Sequence, residues 1–600
     1  MFKKWVIALL LIPILTFSQE DQNTLLANQF FQNKAYDKAI PIYKSILKKD
    51  YDKYIYQNLL TAYLKTKAYD PAIKMVKKAS KLSNEPYIQL IDLGHLYGLT
   101  ENISKQDQQY NTVIKSILPK EYVVNSIAKR FEYYQLTNEA INAYERGQNE
   151  LADKSIFNKE IAANHLKLNN YKKAFSYYLN HLSYYPNNVE DIEGIFNQIC
   201  TDKEKKTILK ELLFRAVQRQ PENGVMVQLL IWNLNTLGEF NESFLQAKAY
   251  DRKSNSGGKV VLDLSKTFRE LKAYQPALTA LDYLINNGNN FFAFMARKDV
   301  LAIKKEAIEN NFPVEISQVK ILIDDYKSFI ASHGINIKTI NIAKDMAYMY
   351  AFYLEEYDSA IIIINTILKQ SNIDRKTRGE IKILLGDIQL LSGDKWESQL
   401  TYWQIDKDFK ESVIGHQAKY KVAMLSYYTG DFEWAQNQLE ALKGSTTKLI
   451  SNDAISLSTF ITENYGIDSN DVPLKLFASA QLLLYQKQYE KANLKFDTIS
   501  NIYSDHILMD DILFKKAQIA QQKNDSSSAI KYYKTIIEKY NEDLLLDDAI
   551  FHLAELYHSI NNDSKIALQY YQDILINHPD SIYVTEARKK YRRLRGDNLN

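Results

Sequence analysis

A short motif that returns after the length of one helical hairpin constrains this chain more than any other feature. The segment Lys34-Ala35-Tyr36-Asp37-Lys38-Ala39-Ile40 is followed 33 positions later by Lys67-Ala68-Tyr69-Asp70-Pro71-Ala72-Ile73. In each copy an aromatic residue, Phe30 or Tyr63, lies nine positions before the second alanine. Small and aromatic residues at fixed offsets in a unit of this length indicate paired helices that pack closely against the next pair.

The same pattern recurs along most of the chain and favours an array of such hairpins. Small residues mark the expected helix crossings at Ala128, Ala140, Ala162, Ala174, Ser265, Ala277, Ala360, Gly386, Ser398, Ala423, Ala435, Ala480, Ala492, Ala517, Ala529, Ala554 and Ala567. Helix breakers are scarce, since the 600 residues include only 18 glycines and 11 prolines. The pattern blurs at 190–255 and 290–345, where we expect irregular helices.

From about residue 23 to 590 the pattern resembles the tetratricopeptide repeat, a family with a helix–turn–helix unit of about 34 residues. The resemblance implies an all-α solenoid, a right-handed superhelix of about 11 to 15 repeats, some of them degenerate. Late units are longer, with 37 positions from Ala492 to Ala529 and 38 from Ala529 to Ala567. In this they are similar to exported repeat proteins of Gram-negative envelopes, such as the β-barrel assembly lipoproteins and the Tol–Pal coordinators. The family's early tryptophan is missing.

The amino-terminal residues have the features of a secretory signal peptide. Lys3 and Lys4 precede an apolar run over 6–17 that ends in small residues typical of a cleavage site. The run is too short to cross a bilayer as a stable helix. We therefore expect residues 1–18 to be removed and the mature chain to be exported and periplasmic. It would have no transmembrane span, with peripheral outer-membrane association left open.

The flexible segment Ser254-Asn255-Ser256-Gly257-Gly258 is the clearest break in the mature chain. We predict an N-terminal array over 19–253, central degenerate helical repeats over 259–370, and a C-terminal array over 371–600. The last of these ends in a basic run at 588–595, interpreted as a solvent-facing capping helix whose cations suit its C-terminal end.

The charge balance and the single cysteine argue against several functions. Lys and Arg total 75 against 72 Asp and Glu, a net charge of +3 that offers no case for a nucleic-acid partner. Cys200 has apolar neighbours and is expected to be a small buried hydrophobe. The nine histidines lack metal-ligand spacing, and neither a phosphate loop nor a nucleophile elbow is present. We therefore predict no metal site, no cofactor and no catalytic residue.

Two further sets of polar residues do not indicate a binding or catalytic site. Asn28 and Asn58 stand where some family members clamp a partner's terminal carboxylate, but Thr24 occupies the position of the expected lysine, so the clamp is incomplete. Paired acids at 510–511 and 547–548 precede apolar helical patterns, and favourable interaction with helix N-termini accounts for them without catalysis.

These features predict a non-catalytic scaffold or adaptor of the bacterial cell envelope that serves outer-membrane protein assembly or secretion. A protein or peptide partner would bind in the concave groove lined by the first helix of each hairpin. By the frame that the resemblance supplies, groove-facing residues include Tyr420, Gln481, Gln518, Glu555 and His558. Charge reversal at Glu555 is expected to weaken partner capture and to leave thermal stability unchanged.

Two alternatives remain open. One is an enzyme that binds or hydrolyses glycan or peptidoglycan on a helical solenoid, although nothing selects two carboxylates among the 72 acids. The other is a structural homo-oligomer. The sequence does not identify the partner, the pathway or the oligomeric state.

Overall fold

The computed structural model describes residues 19–49, 51–310, 314–444, 447–465, 470–559 and 563–597. The predicted signal peptide, residues 1–18, lies outside them. The chain divides by its contacts into two compact units, Met1–Ser256 and Gly257–Asn600. This division falls within the segment 254–258, whereas the boundary expected near residue 370 stays a prediction.

All regular secondary structure in the described residues is helical, which confirms the all-α class. The first unit contains the helices α1 (Gln19–Gln32), α2 (Tyr36–Lys49), α3 (Lys53–Lys65), α4 (Tyr69–Leu82), α5 (Pro86–Leu99), α6 (Ile103–Lys115), α7 (Glu121–Tyr133), α8 (Thr137–Glu150), α9 (Asn158–Lys167), α10 (Tyr171–Tyr184), α11 (Val189–Ile199), α12 (Lys203–Arg219), α13 (Gly224–Leu237) and α14 (Phe240–Lys253). A short 3-10 helix, Pro186–Asn188, precedes α11.

The second unit continues in the same manner, with longer helices in its first half. It contains α15 (Lys259–Glu270), α16 (Tyr274–Asn287), α17 (Asn290–Glu309), α18 (Ile316–His333), α19 (Ile340–Tyr353), α20 (Tyr357–Leu368), α21 (Arg375–Leu391), α22 (Lys395–Asp408), α23 (Val413–Thr429), α24 (Phe432–Leu442), α25 (Lys448–Asn464), α26 (Val472–Tyr485), α27 (Tyr489–Ile502), α28 (Met509–Gln522), α29 (Ser526–Lys539), α30 (Leu546–Ser559), α31 (Ser564–Asn577) and α32 (Val584–Arg595). No helix of the described residues is long and apolar enough to cross a membrane.

The small residues that define the repeat lie where helices pack, as predicted. A side chain of one methyl group lets the neighbouring helix approach closely, and the repeat alanines are fully buried in both units: Ala39, Ala72, Ala140, Ala174, Ala277, Ala360, Ala423, Ala435, Ala480, Ala492, Ala517, Ala529, Ala554 and Ala567. Buried tyrosines often lie four positions after the small residue of the second helix and contact the first helix of the same hairpin: Tyr43, Tyr144, Tyr402, Tyr533 and Tyr571. A helical hairpin with a small residue at the crossing of its helices is therefore the packing unit of most of the described residues.

A left-handed residue closes the first helix of many hairpins. Lys67 has φ of 53°, and the next amide, of Ala68, donates to the carbonyl of Tyr63 at 2.9 Å. Lys34, Gln135, Asn169, Lys272, Lys487 and Asn524 adopt the same conformation, each followed by an amide that donates five residues back. This bond pattern satisfies carbonyl groups at the helix end. It recurs where the chain has lysine, glutamine or asparagine instead of glycine.

A buried polar centre joins the first helices of three hairpins in the first unit. Asp92 of α5 is fully buried and accepts from Tyr56 of α3 at 2.6 Å. From the end of α7, the guanidinium of Arg130 donates to it at 2.6 Å and the hydroxyl of Tyr134 at 2.8 Å. The imidazole of His95 stacks on Tyr134 at 3.8 Å, and burial lowers its pKa. Asp92 therefore holds α3, α5 and α7 together.

The regions where the pattern blurs are irregular in length and packing. In the first unit α12 packs against α10 as well as α13, and α11 is a short helix. In the second unit α17 and α18 have 20 and 18 residues. Outside these two regions, an additional helix, α25, packs on α24 and on α23.

The single cysteine lies at the end of α11 in the first of these regions. Cys200 is 5% exposed, and burial raises the pKa of its thiol to about 11. A buried, protonated thiol is expected of a structural cysteine.

Candidate functional site

The first helices of the middle hairpins in the second unit converge at their C-terminal ends. Leu390 of α21, Leu425 of α23 and Leu482 of α26 form one buried cluster. The side-chain amide of Gln486, just after α26, donates to the carbonyl of Leu390 at 2.9 Å. Helices from three different hairpins therefore meet on one side, which makes the first-helix side of this region concave.

A second long-range contact acts on the same side. Lys487 donates to the carbonyl of Phe352 at the end of α19 and lies 3.8 Å from Glu355. Burial lowers the pKa of its ammonium group. These bonds join chain segments 135 residues apart, so the C-terminal ends of α19 and α26 lie close together on the concave side.

The residues predicted to face the groove all lie on first helices of the second unit. Tyr420 is on α23, Gln481 on α26, Gln518 on α28, and Glu555 with His558 on α30. All five side chains are half-buried, so each remains accessible from one side. No hydrogen bond or ion pair joins any two of these side chains within the described residues, and whether they bind a partner stays a prediction.

Three of these residues form a regular series, termed here the polar ladder: Gln481, Gln518 and Glu555. Successive members are 37 positions apart, and each follows a phenylalanine by one helical turn. The three phenylalanines, Phe477, Phe514 and Phe551, are buried. Because the spacing equals one repeat, each hairpin presents its polar residue at the same register beside an aromatic anchor.

The members of the ladder differ in how far their own chain satisfies them. Gln481 makes no side-chain hydrogen bond within the described residues, and Gln518 accepts one from Lys515 at 3.3 Å. Glu555 accepts from Tyr571 of α31 and from Lys590 of α32 at 2.5 Å. Gln481 and Gln518 are therefore the members most available to a partner.

Because of its contacts, a substitution of Glu555 would affect protein stability as well as partner binding. Charge reversal would place a cation beside Lys590 and remove the acceptor of the buried Tyr571 hydroxyl. We now expect such a variant to lose stability as well as any binding, so Glu555 is not a clean probe of partner capture. Lys590 lies in the basic run, and its helix α32 buries Ala587 against the last hairpin; its role as a capping helix stays a prediction.

The other two predicted residues have distinct environments. Burial raises the pKa of Tyr420 to about 12, with the nearby carboxylate of Asp453 contributing, so its hydroxyl is a neutral donor at physiological pH. The Nδ1 atom of His558 is buried and has no hydrogen-bond partner within the described residues. The tyrosine hydroxyl can therefore offer a hydrogen bond to a ligand, whereas the buried Nδ1 atom of His558 is not accessible to one.

A cluster of charged residues beside the ladder was not predicted as a unit. Asp511 and Lys515 lie one turn apart on α28, and Asp548 and His552 hold the equivalent positions on α30. Burial, followed by repulsion from Asp510, raises the pKa of Asp511 to about 7. Burial also lowers the pKa of Lys515 and of His552. The 37-residue spacing could have revealed this set, because the aspartates recur with the ladder.

The paired acids do lie in the first turns of α28 and α30, where the helix N-terminus favours negative charge. Asp548 also accepts from Tyr583 at 2.8 Å, and its pKa is raised by burial. Asp548 thus serves packing between the last hairpins. In the part of the chain that the structure describes, no group of three or more His, Cys, Asp or Glu side chains could hold a metal ion.

The two asparagines of the incomplete carboxylate clamp in the first unit form hydrogen bonds with a tyrosine of the same unit. Tyr43 donates to Asn28 at 2.6 Å, and the amide of Asn58 donates to the same tyrosine oxygen at 3.3 Å. These bonds explain the two asparagines as partners of a buried tyrosine.

Comparisons with known proteins identify architecture at most. No protein-family model matches the chain, and no curated protein matches it. Among solved structures, the Naa15/Naa10 complex bound to HypK-THB is 13% identical, with 96% of this chain and 97% of that chain covered and a TM-score of 0.26. A tetratricopeptide repeat protein from Parabacteroides merdae is 13% identical, with 47% and 92% covered and a TM-score of 0.28. Yeast Tom70 is 13% identical, with 95% and 99% covered and a TM-score of 0.25. Identities and TM-scores this low leave the fold to be established by the chain's own helices.

Proposed function

We propose that this chain is a non-catalytic scaffold that binds a protein partner along the first-helix side of its second unit. The polar ladder carries this proposal: Gln481 and Gln518 repeat at one register, each beside a buried phenylalanine, and neither is fully satisfied within the described part of the chain. Side-chain amides that repeat beside buried phenylalanines suit an extended peptide, because the hydrogen-bonding groups of a peptide backbone also repeat.

Side-chain amides both donate and accept hydrogen bonds. A peptide segment lying along the ladder can therefore bond to successive hairpins through its backbone, while its side chains contact the apolar positions between them. The half-buried position of the glutamines favours peptide binding, because a hydrogen bond in a partly desolvated site contributes more to the binding free energy than one in bulk water.

We further propose that the scaffold works in the bacterial cell envelope, in outer-membrane protein assembly or secretion. Two sequence features support this location: the basic and apolar pattern of residues 1–18, and the long late repeats that resemble those of envelope proteins. The alternative of a glycan hydrolase is not favoured: of the two acids beside the ladder whose pKa is raised by burial, Asp511 and Asp548, the second is engaged by the hydroxyl of Tyr583.

The proposal is tested by placing two cations on the ladder. In the double variant Q481R/Q518R we expect capture of partners by cross-linking affinity purification, from intact cells with membranes separated, to fall at least about fivefold. Two bulky charged side chains would block the surface and leave bound polar groups unpaired. The free energy of unfolding should fall by no more than about 2 kcal/mol, because neither glutamine is in the core and the main cost is repulsion between the new cation at position 518 and the ammonium group of Lys515.

The matched control places the same charges on the opposite helix type. Gln569 and Gln572 are exposed on α31, the second helix of its hairpin, and Q569R/Q572R should capture partners as the unchanged protein does. Equal capture by the ladder variant and the control, with both folded, would contradict the proposed surface.

A further inference from the structure

The second helices of the first two hairpins, α2 and α4, enclose a cleft of about 670 Å³ in the first unit. Its floor is apolar and includes Leu59 and Tyr63 of α3, with Leu47 and Met75 on its sides. Leu59 is fully buried and Tyr63 is 4% exposed. The cleft is therefore a recess between helices with an apolar bottom.

Four exposed lysines form the rims of this recess. Lys44 and Lys48 lie one turn apart on α2, and Lys74 and Lys78 lie one turn apart on α4. None of the four makes an ion pair in the part of the chain that the structure describes, and Asp70 is the single acidic residue among those that line the cleft. The two rims therefore carry an unbalanced positive charge above an apolar floor, which attracts an anionic ligand.

The arrangement of these charges specifies the shape of the ligand. Lysines one helical turn apart on both sides of an apolar floor complement a helix with an apolar ridge flanked by rows of carboxylates. We propose that the cleft between α2 and α4 binds an acidic amphipathic helix of a partner protein. The apolar ridge enters the recess, and the carboxylates pair with Lys44 and Lys48 on one side and with Lys74 and Lys78 on the other.

A flat anionic bilayer fits this site less well. A planar surface would meet the lysines at the rims and leave uncovered the accessible apolar residues that line the recess, Met75 and Leu82. A partner helix fills both the charged and the apolar parts at once, which is the condition for a compact, dry contact.

This second site is independent of the polar ladder, since it lies in the other unit and uses the second helices of its hairpins. The test uses purified full-length mature protein and a labelled synthetic helical peptide with a leucine ridge flanked by glutamates. The comparison peptide carries lysine at each glutamate position. Binding is followed by fluorescence anisotropy, and a photoreactive group in the leucine ridge reports the contact by cross-linking.

The glutamate peptide should bind, and the lysine peptide should not. In K44E/K78E we expect affinity for the glutamate peptide to fall at least about tenfold, because attraction becomes repulsion on both rims. The variant M75Q, on the side of the recess, should weaken binding as well, since the apolar ridge would meet a polar surface. The photoreactive peptide should label Met75 or Leu82.

The matched control is K38E/K81E, which makes the same net change on α2 and α4 at exposed lysines that do not line the cleft; it should bind the glutamate peptide normally. Absence of binding, equal binding of both peptides, or equal loss in the two double variants would overturn the proposal. Binding confined to vesicles containing phosphatidylglycerol, with no peptide bound, would overturn it in favour of a lipid surface.

Discussion

Replacing Asp92 with leucine is expected to lower the free energy of unfolding of the first unit by about 3–5 kcal/mol, the usual cost of leaving a buried charge uncompensated. Asp92 is fully buried and the side chain of Arg130 is only 13% exposed, so water cannot replace the lost carboxylate. Tyr56 and Tyr134 would lose the acceptor of their hydroxyl groups. Because the four residues belong to the hairpins of α3, α5 and α7, the loss should loosen three hairpins together.

Two further variants make this prediction specific. Replacing both ionic partners in D92L/R130M should restore much of the stability, because neither charge is then left unpaired. E222A removes the exposed partner of Lys253, an ion pair 2.9 Å long with side chains 72% and 49% exposed, and should cost less than about 1 kcal/mol.

Denaturant unfolding combined with hydrogen exchange measures these effects, since a repeat protein can lose one region before another. Amides of α3, α5 and α7 should exchange faster in D92L. A D92L variant no less stable than E222A would show that the polar centre does not hold these helices together.

The second large effect is expected from Gly386 on α21. A Cβ atom at this position would lie 2.5 Å from Cε1 of Tyr402, whose ring is fully buried and whose hydroxyl donates to Asp387 at 2.6 Å. The hydroxyl of Ser398 donates to the carbonyl of Gly386 at 2.8 Å. The two helices of the hairpin thus touch at this glycine, and G386L should cost about 3 kcal/mol or more by forcing them apart.

The control is a glycine with free space around it. Gly194 of α11 is exposed, and no neighbouring atom of the described residues lies within 4 Å of the place that a Cβ atom would occupy, so G194A should stabilise its helix by up to about 1 kcal/mol. Thermal and denaturant unfolding of both variants measures the difference. A G386L variant as stable as the unchanged protein would contradict close packing at the small residues.

The fold could be predicted because small residues leave a strong signal. Close packing of a neighbouring helix requires a small side chain at positions such as Ala39 and Ala529. The spacing between these positions persists along the chain, while the residues around them differ from repeat to repeat. The turns were harder to foresee. Lys67, Gln135 and Asn524 adopt left-handed conformations that residues other than glycine adopt at a cost, and lysine or glutamine is not a turn signal by itself.

The candidate site was predicted in part. The register of Gln481, Gln518 and Glu555 on first helices follows from the repeat, but the contact of Glu555 with Lys590 does not. Nor does the pairing of Asp92 with Arg130. Such contacts depend on the rotation between successive hairpins. The pattern of apolar residues does not fix this rotation closely enough to determine which long side chains meet.

The central claim is that a partner lies along the polar ladder, and site-specific photo-cross-linking in living cells tests it most directly. A photoreactive residue is placed at Gln518 and, in a separate protein, at Gln572 on the opposite helix type. We predict a discrete cross-linked protein from position 518, weakened by Q481R, and none from position 572. The same products from both positions, or none from position 518 in folded protein, would contradict the claim.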